Sequence, residues 1–331
     1  MANTGPFLSQ YLKLGWGYTR SGATITGGTW LQAKNIPVTL PEIVDMQAGR
    51  QHVGGPIPGN QRPGARYFHV PGVIYDLLPQ ADATTRFPQY ELLKAAGFSE
   101  SGSFAYTLAD PHLDQASDTP DGNLVPLALS SGATLFGYLF DTELWEANDV
   151  ICNVSFNFVG GEIPELVVDF FGNIPSGTST TASGRTLVTR PVASAQTTDF
   201  AGPMQAGSLT FGGFTSVACI HSCSIAVNNV IPVRKSLNAA HGVAQFRVAR
   251  QMPVADLYLD MGQDTLETYR MAGTTGTLSF DNGLAAGDGA LCTVSMGVRV
   301  VGIDINDTDG FGAYRCTLEM NPAGALSLTW S

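Results

Sequence analysis

Positive charge is scarce in this chain. Only 17 lysines and arginines stand against 28 aspartates and glutamates in 331 residues, a formal net charge of −11. The basic residues form no cluster, whereas a nucleic-acid-binding surface needs a basic stripe to neutralise phosphates. Binding to nucleic acid is therefore excluded as the expected role. Charge of either sign is thin, at 14% of residues. A free monomer normally covers itself with Lys, Glu, Asp and Arg, so much of this surface is expected to lie against partners. The five cysteines, Cys152, Cys219, Cys223, Cys292 and Cys316, are odd in number and scattered, which argues against a disulfide framework. Long apolar runs are also missing. Leu124–Phe140 is broken by Pro126, Ser130, Ser131, Gly132 and Gly137, so it does not read as a membrane span. The start, "MANTGPFLSQYLKLGWG", has no charged residue leading into an apolar core, and no signal peptide is expected.

Signatures of chemistry are equally sparse. There is no Gly-x-x-x-x-Gly-Lys-Ser/Thr phosphate loop and no Gly-x-Ser-x-Gly elbow. His52, His69, His112 and His241 have no partner assignable from sequence. Cys219-Ile220-His221-Ser222-Cys223 offers three soft ligands at alternate positions, but on an extended strand the outer two stand roughly 13 Å apart. Zinc needs its ligands within about 2.0–2.3 Å of one point. Asp304-Ile305-Asn306-Asp307-Thr308-Asp309-Gly310 resembles a calcium loop only superficially. Thr308 and Asp309 occupy the positions that need a ligand and a glycine, and Arg315 stands where the closing Glu belongs. It reads as a turn between two strands. Within "GGEIPELVVDFFG" (160–172), Glu165 and Asp169 share a strand face at roughly 13 Å. That is too far for a glycosidase pair, which needs about 5–9.5 Å. Asp256 and Asp260 fail the same test. The expectation is a protein without catalytic residues, cofactor or metal.

What the chain does contain is strand material. Gly 38 and Pro 19 favour many turns, 44% of residues are hydrophobic, and the aliphatic runs are rich in Val, Thr and Phe. Strands are expected near 66–75, 133–140, 150–158, 164–171, 215–227, 243–249, 254–261, 290–303 and 312–319. Alternation is clearest in 254–261, where Ala255, Leu257, Leu259 and Met261 face one way and Asp256, Tyr258 and Asp260 the other. Residues 51–65 and 110–123 read as long loops. Residues 173–200, rich in Ser and Thr, read as a linker. The fold class is mainly β, divided into a first unit (1–175), a linker (176–200) and a second unit (201–331).

Two short helices stand out, 87–96 and 263–272, each ending at a glycine suited to a left-handed C-terminal cap, Gly97 and Gly273. Aligned there, Tyr90–Gly97 and Leu266–Gly273 share the pattern apolar-Glu-x-apolar-basic-apolar-Ala-Gly. The offset of 176 residues suggests an internal duplication of a β unit carrying one helix.

Taken in order, the segments from Tyr90 to Gly172 resemble the major tail tube proteins of long-tailed bacteriophages. They comprise the helix ending Glu91–Phe98, the strand and polar loop from Phe104 to Asn123, Thr134–Tyr138, and the strand pair Val150–Phe158 and Pro164–Gly172 around Gly161-Glu162-Ile163-Pro164. Ser224–Val233 and the strand leading to Met261 resemble that family's downstream region. Arg250-Gln251-Met252-Pro253-Val254 departs from its frequent Pro-x-Gly, and residues 1–65 have no counterpart in the resemblance. The resemblance implies a structural virion protein with tail-tube-type β-sandwich or barrel units. Its sheets join between copies into rings with a continuous β-barrel inside, stacked into the conduit for DNA ejection. It implies self-association and ring stacking. It also implies contacts with a tape measure protein, a tail terminator and distal tail or baseplate proteins, transient passage of double-stranded DNA, no membrane, and a place in the virion tail after assembly in the host bacterial cytoplasm. Related tubes look six-fold, so a duplicated chain would close a ring with three copies in preference to six. A head decoration or baseplate protein, or a carbohydrate-binding module, is the alternative. In a tube, the acidic strand faces carrying Asp256, Asp260, Glu165 and Asp169 are expected to be unpaired and to line the channel.

Overall fold

Residues 254–260 read Val-Ala-Asp-Leu-Tyr-Leu-Asp, and their alternation sets the pattern of the whole molecule. In the computed structural model Ala255, Leu257 and Leu259 are buried, whereas Asp256, Tyr258 and Asp260 stay partly open on the opposite face. The described residues are 12–21, 23–31, 33–37, 41–48, 61–78, 89–101, 105–108, 135–140, 143–174, 185–187, 204, 209–211, 220–239, 241–246, 248–260, 264–284, 291–308, 311–321 and 324–331. They form a mainly β protein with two short helices.

Eight strands lie side by side, every neighbour antiparallel. They are β3 (Glu42–Ala48), β4 (Gln61–Asp76), β9 (Glu165–Asn173), β8 (Glu143–Val159), β12 (Ile220–Ala226), β15 (Val254–Asp260), β18 (Phe311–Met320) and β17 (Cys292–Thr308). The strand that becomes β3 already flanks β4 further back, at the bridge Asn35↔Ile74. One face of this sheet is apolar. Val168, Phe170, Val154, Phe156, Ile225, Leu257 and Leu318 belong to the main core. Two helices close over that core. α1 (Tyr90–Ala95) buries Leu92, Leu93 and Ala95, and α2 (Asp264–Ala272) buries Leu266. Both end where the sequence placed their caps. Gly97 and Gly273 have φ of 100° and 62°, a left-handed conformation that glycine adopts without a Cβ penalty.

The outer strands are β1 (Leu12–Ser21), β2 (Thr24–Leu31), β5 (Phe98–Ser101), β6 (Ala105–Leu108), β7 (Leu135–Phe140), β10 (Arg185–Leu187), β11 (Leu209–Phe211), β16 (Thr275–Asp281) and β19 (Leu326–Trp330). β8 and β17, both of 17 residues, carry these strands on their N-terminal halves and the eight-stranded sheet on their C-terminal halves. A separate hairpin of β13 (Val233–Lys235) and β14 (Val243–Phe246) packs through Phe246 and Val243 on Ile151, Tyr67 and Phe171, at one end of the polar face.

Six strand pairings recur in chain order. β1·β7, β3·β4, β4·β9, β9·β8, β7·β8 and β8·β10 in the first half match β11·β16, β12·β15, β15·β18, β18·β17, β16·β17 and β17·β19 in the second. α1 packs on β8 as α2 packs on β17. The halves are joined by β12·β8 and β19·β6.

The structure corrects several local readings. Asp304–Thr308 is strand, paired with Phe311–Arg315, because the hairpin turns only after Thr308. Residues 61–65 of the supposed first loop belong to β4, and Arg185–Leu187 within the supposed linker form β10. Residues 51–60 and 110–123, most of 173–200, and Cys219 lie outside the described residues.

Candidate functional site

Among the described residues no group of His, Cys, Asp and Glu could hold a metal ion, and the polar face of the eight-stranded sheet and its two edges are the features to build from. The register puts Asp76 beside Glu165, Glu165 beside Asn157, Asn157 beside Ser224, Ser224 beside Asp256 and Asp256 beside Thr317. This row of polar side chains crosses both halves without interruption.

All four acidic residues singled out from sequence lie on this face, and none of them is unpaired. Asp256 accepts hydrogen bonds from Arg315 Nη2 at 2.8 Å and Thr317 Oγ1 at 2.7 Å. Burial pushes its carboxyl up, but those two bonds and the Arg315 charge outweigh burial and leave it below its usual value. Asp260 meets His221 Nε2 at 2.8 Å. Glu165 pairs with Lys34, which also lies 3.9 Å from Asp76. Asp169 accepts the backbone N–H of Gly72 at 2.6 Å, across the bulge in β4. The expectation of repeated bare charges is thus corrected. A bare carboxylate costs desolvation energy, and the neighbouring strands supply the compensation.

These partners were not found from sequence. Arg315 and Thr317 were within reach, since they occupy the polar positions of "AYRCTLE" on a strand that must pair with something. Lys34 gave no signal, because nothing local to it marks a strand. His221 and Cys223 do not converge. Cys223 lies in the core, whereas His221 turns to Asp260 on the polar face. Burial pushes the Cys223 thiol well up, and those of Cys292 and Cys316 to about 12. His69 stacks on Phe171 with ring centres 4.4 Å apart, and burial lowers its pKa against the opposing pull of Asp169.

The seam between the halves is a second feature sequence did not reveal. β12 pairs with β8 from Ser222↔Val159 to Ala226↔Ser155. Just beyond it, the buried Asn229 donates to the carbonyls of Ala96 and Cys152, both at 2.9 Å, and Gln251 donates to Ala96 at 3.2 Å. Side chains of the second half thereby cap the C-terminus of the first half's helix.

At the sheet's outer limits the situation differs. Among the described residues, no strand pairs with the outer edge of β3, nor with the edge of β17 beyond Arg299 that faces away from β18. No family model matches the chain, and no curated protein matches it.

Proposed function

We propose that this chain is a structural protein that polymerises through its eight-stranded sheet into hollow tubes, in the manner of a bacteriophage tail tube. The observation that carries this reading is a sheet of two recurring groups of four strands, joined in the middle and, among the described residues, without a partner strand at either end. An open edge presents unpaired N–H and C=O groups, and ring closure removes it. The recurrence supports an internal duplication, each unit carrying one helix. Three copies of eight strands give a barrel of twenty-four. At a strand spacing of ~4.8 Å and a tilt of ~40°, its backbone diameter is about 45–50 Å. The helices cover the apolar face, so the polar face with Asp256, Asp260, Glu165 and Asp169 lines the bore. Its acids are held by internal partners, and such a wall offers phosphates few free cations to grip.

On this reading the tube belongs to a virion tail assembled in the host cytoplasm. It encloses a tape measure protein, is bounded by terminator and distal tail proteins, and lets DNA pass without binding it. Negative-stain microscopy of the purified full chain tests it. Hollow tubes of even bore are expected, and a protein that stays monomeric at high concentration contradicts it.

A further inference from the structure

The seam inside the chain specifies the joint between chains. β12 flanks β15 as the strand leading into β3 flanks β4, and β8 stands to β9 as β17 stands to β18. Yet β8 carries β12 on its C-terminal half, whereas the same stretch of β17 carries no strand among the described residues. We infer that this edge of β17, residues 300–308, receives the strand flanking β4 of a second copy of the chain, as β8 receives β12. The inference deepens the tube reading by naming its joint, and it rests on that reading only for closure into a ring.

The exposed surface supports the assignment. The row Tyr75–Leu166–Phe156 in the first half corresponds to Leu259–Tyr314–Ile305 in the second, since Tyr75 and Leu259 each precede the aspartate that ends its strand. Phe156 is fully buried, with the rings of Phe98 and Phe158 beside it and Ile225 of β12 paired alongside. Ile305, in the equivalent place, is 74% exposed. The helices differ in the same sense. Ala95 and Ala96 at the end of α1 are buried, and the Ala96 carbonyl is doubly capped from the second half, whereas their counterparts Met271 and Ala272 at the end of α2 are exposed, Met271 to 75%. An apolar residue on an open strand edge and another on the helix packed against that strand mark a surface awaiting the contact that the first half already has.

The register follows too. Ser222 pairs with Tyr258 on one side and Val159 on the other. Tyr258 lies two residues before Asp260, as Ile74 lies two before Asp76, and Ile74 bridges Asn35. Val159 lies three residues beyond Phe156, as Thr308 lies three beyond Ile305. Asn35 of one copy therefore stands opposite Thr308 of the next. Directly opposed residues of an antiparallel pair have Cα atoms about 4.5–5.5 Å apart, within the range a disulfide spans. Within one chain these two positions lie at opposite limits of the sheet, so a bond between them must join two copies. The contact is heterologous, head to tail, and closes as a ring.

The test is oxidative cross-linking of the full chain with Asn35→Cys, Thr308→Cys and the double variant, read on non-reducing gels. The described native cysteines are buried and do not compete. The double variant is expected to give covalent dimers and trimers. The two single variants mixed are expected to stop at dimers, and each alone to give none. Cross-linking of either single variant alone means a two-fold contact and overturns the inference. So does an uncross-linked double variant that still forms tubes, an outcome that leaves the tube reading intact. Cross-linked rings that never stack leave the joint intact and overturn the tube. A wild-type chain that is monomeric overturns both. Ile305→Lys serves as an independent probe that leaves the monomer core untouched. It is expected to weaken self-association at least about tenfold without changing the monomer's thermal stability, and unchanged self-association counts against the joint.

Discussion

Asp256 shows what a charged residue must do to sit on a packed sheet. Its alternation with Leu257 turns it away from the core, and the next strand supplies Arg315 and Thr317 as donors. Its folded pKa lies below the unfolded one, so the stabilisation is present above the ordinary carboxylate value near 4 and is lost as pH falls through the depressed value. Asp256→Asn is expected to cost about 1 kcal/mol at pH 7, since both side chains of the pair stay partly exposed to solvent. Wild type and variant are expected to approach each other in thermal melts as pH falls from about 4 through the depressed value. A difference that persists unchanged at pH 3 contradicts the assignment. His69 follows the same linkage, but there the neutral form is the one the fold favours. Its folded pKa is lowered, mainly by burial, so the unfolded chain binds more protons as pH drops below about 6.5. Stability is therefore expected to fall with pH from that point down to the lowered pKa. In His69→Gln this part of the pH dependence should disappear from denaturant midpoints. The position of these acids was legible in the sequence, because period-two alternation is a property of one strand. Their partners were not, because pairing depends on which strand lies alongside.

Elements were legible in proportion to how far their own residues carry the pattern. β15, β9 and the C-terminal half of β8 alternate cleanly, and each was expected near its observed position. β2 reads Thr-Ile-Thr-Gly-Gly-Thr-Trp-Leu and β16 Thr-Gly-Thr-Leu-Ser-Phe-Asp. These are strands because long neighbours hold them, and glycine-rich stretches alone do not announce it. β8 looked short because Asp149, with φ of 50°, and the adjoining register shift interrupt its pattern. The end of β17 looked like a turn because Asp304-Ile305-Asn306-Asp307-Thr308 is polar, yet it pairs residue by residue with β18. The helices respond to the same logic. Leu92→Ala removes a fully buried side chain and is expected to cost about 2–5 kcal/mol in chemical denaturation. By contrast α2 leaves Glu267, Thr268, Arg270 and Met271 exposed. Hydrogen exchange of the dispersed monomer is expected to show α2 less protected than α1, with α2 gaining protection on assembly. Equal protection in both states counts against a partner at α2.

At the scale of the molecule, the glycine-capped helices pointed to a repeat, but one constant offset could not trace it. The offset is 176 residues between Gly97 and Gly273, whereas the starts of β8 and β17 are separated by 149, because β5, β6 and residues 109–134 fall between α1 and β7. Strand pairing recovers the correspondence where spacing loses it. The proposed self-association has only indirect traces in the sequence, chiefly the low charge fraction, since a strand edge without a partner is defined only once the other strands are placed. Asn229 ties the halves together with two buried hydrogen bonds, and Asn229→Ala is expected to cost about 1–3 kcal/mol by removing this donor from the Cys152 carbonyl and leaving Ala96 with Gln251 alone. Wild-type melting temperature in that variant would remove the seam's importance.

The measurement that bears most directly on the whole account is electron cryo-microscopy of the assembled full chain, with the number of copies per ring read from the averaged image. A hollow tube is expected whose inner wall is one continuous antiparallel barrel, three chains to a ring, with β17 of each chain against the strand that flanks β4 of the next. Six chains to a ring, or a filament whose chains meet through the outer strands while both sheet edges stay open, would contradict it.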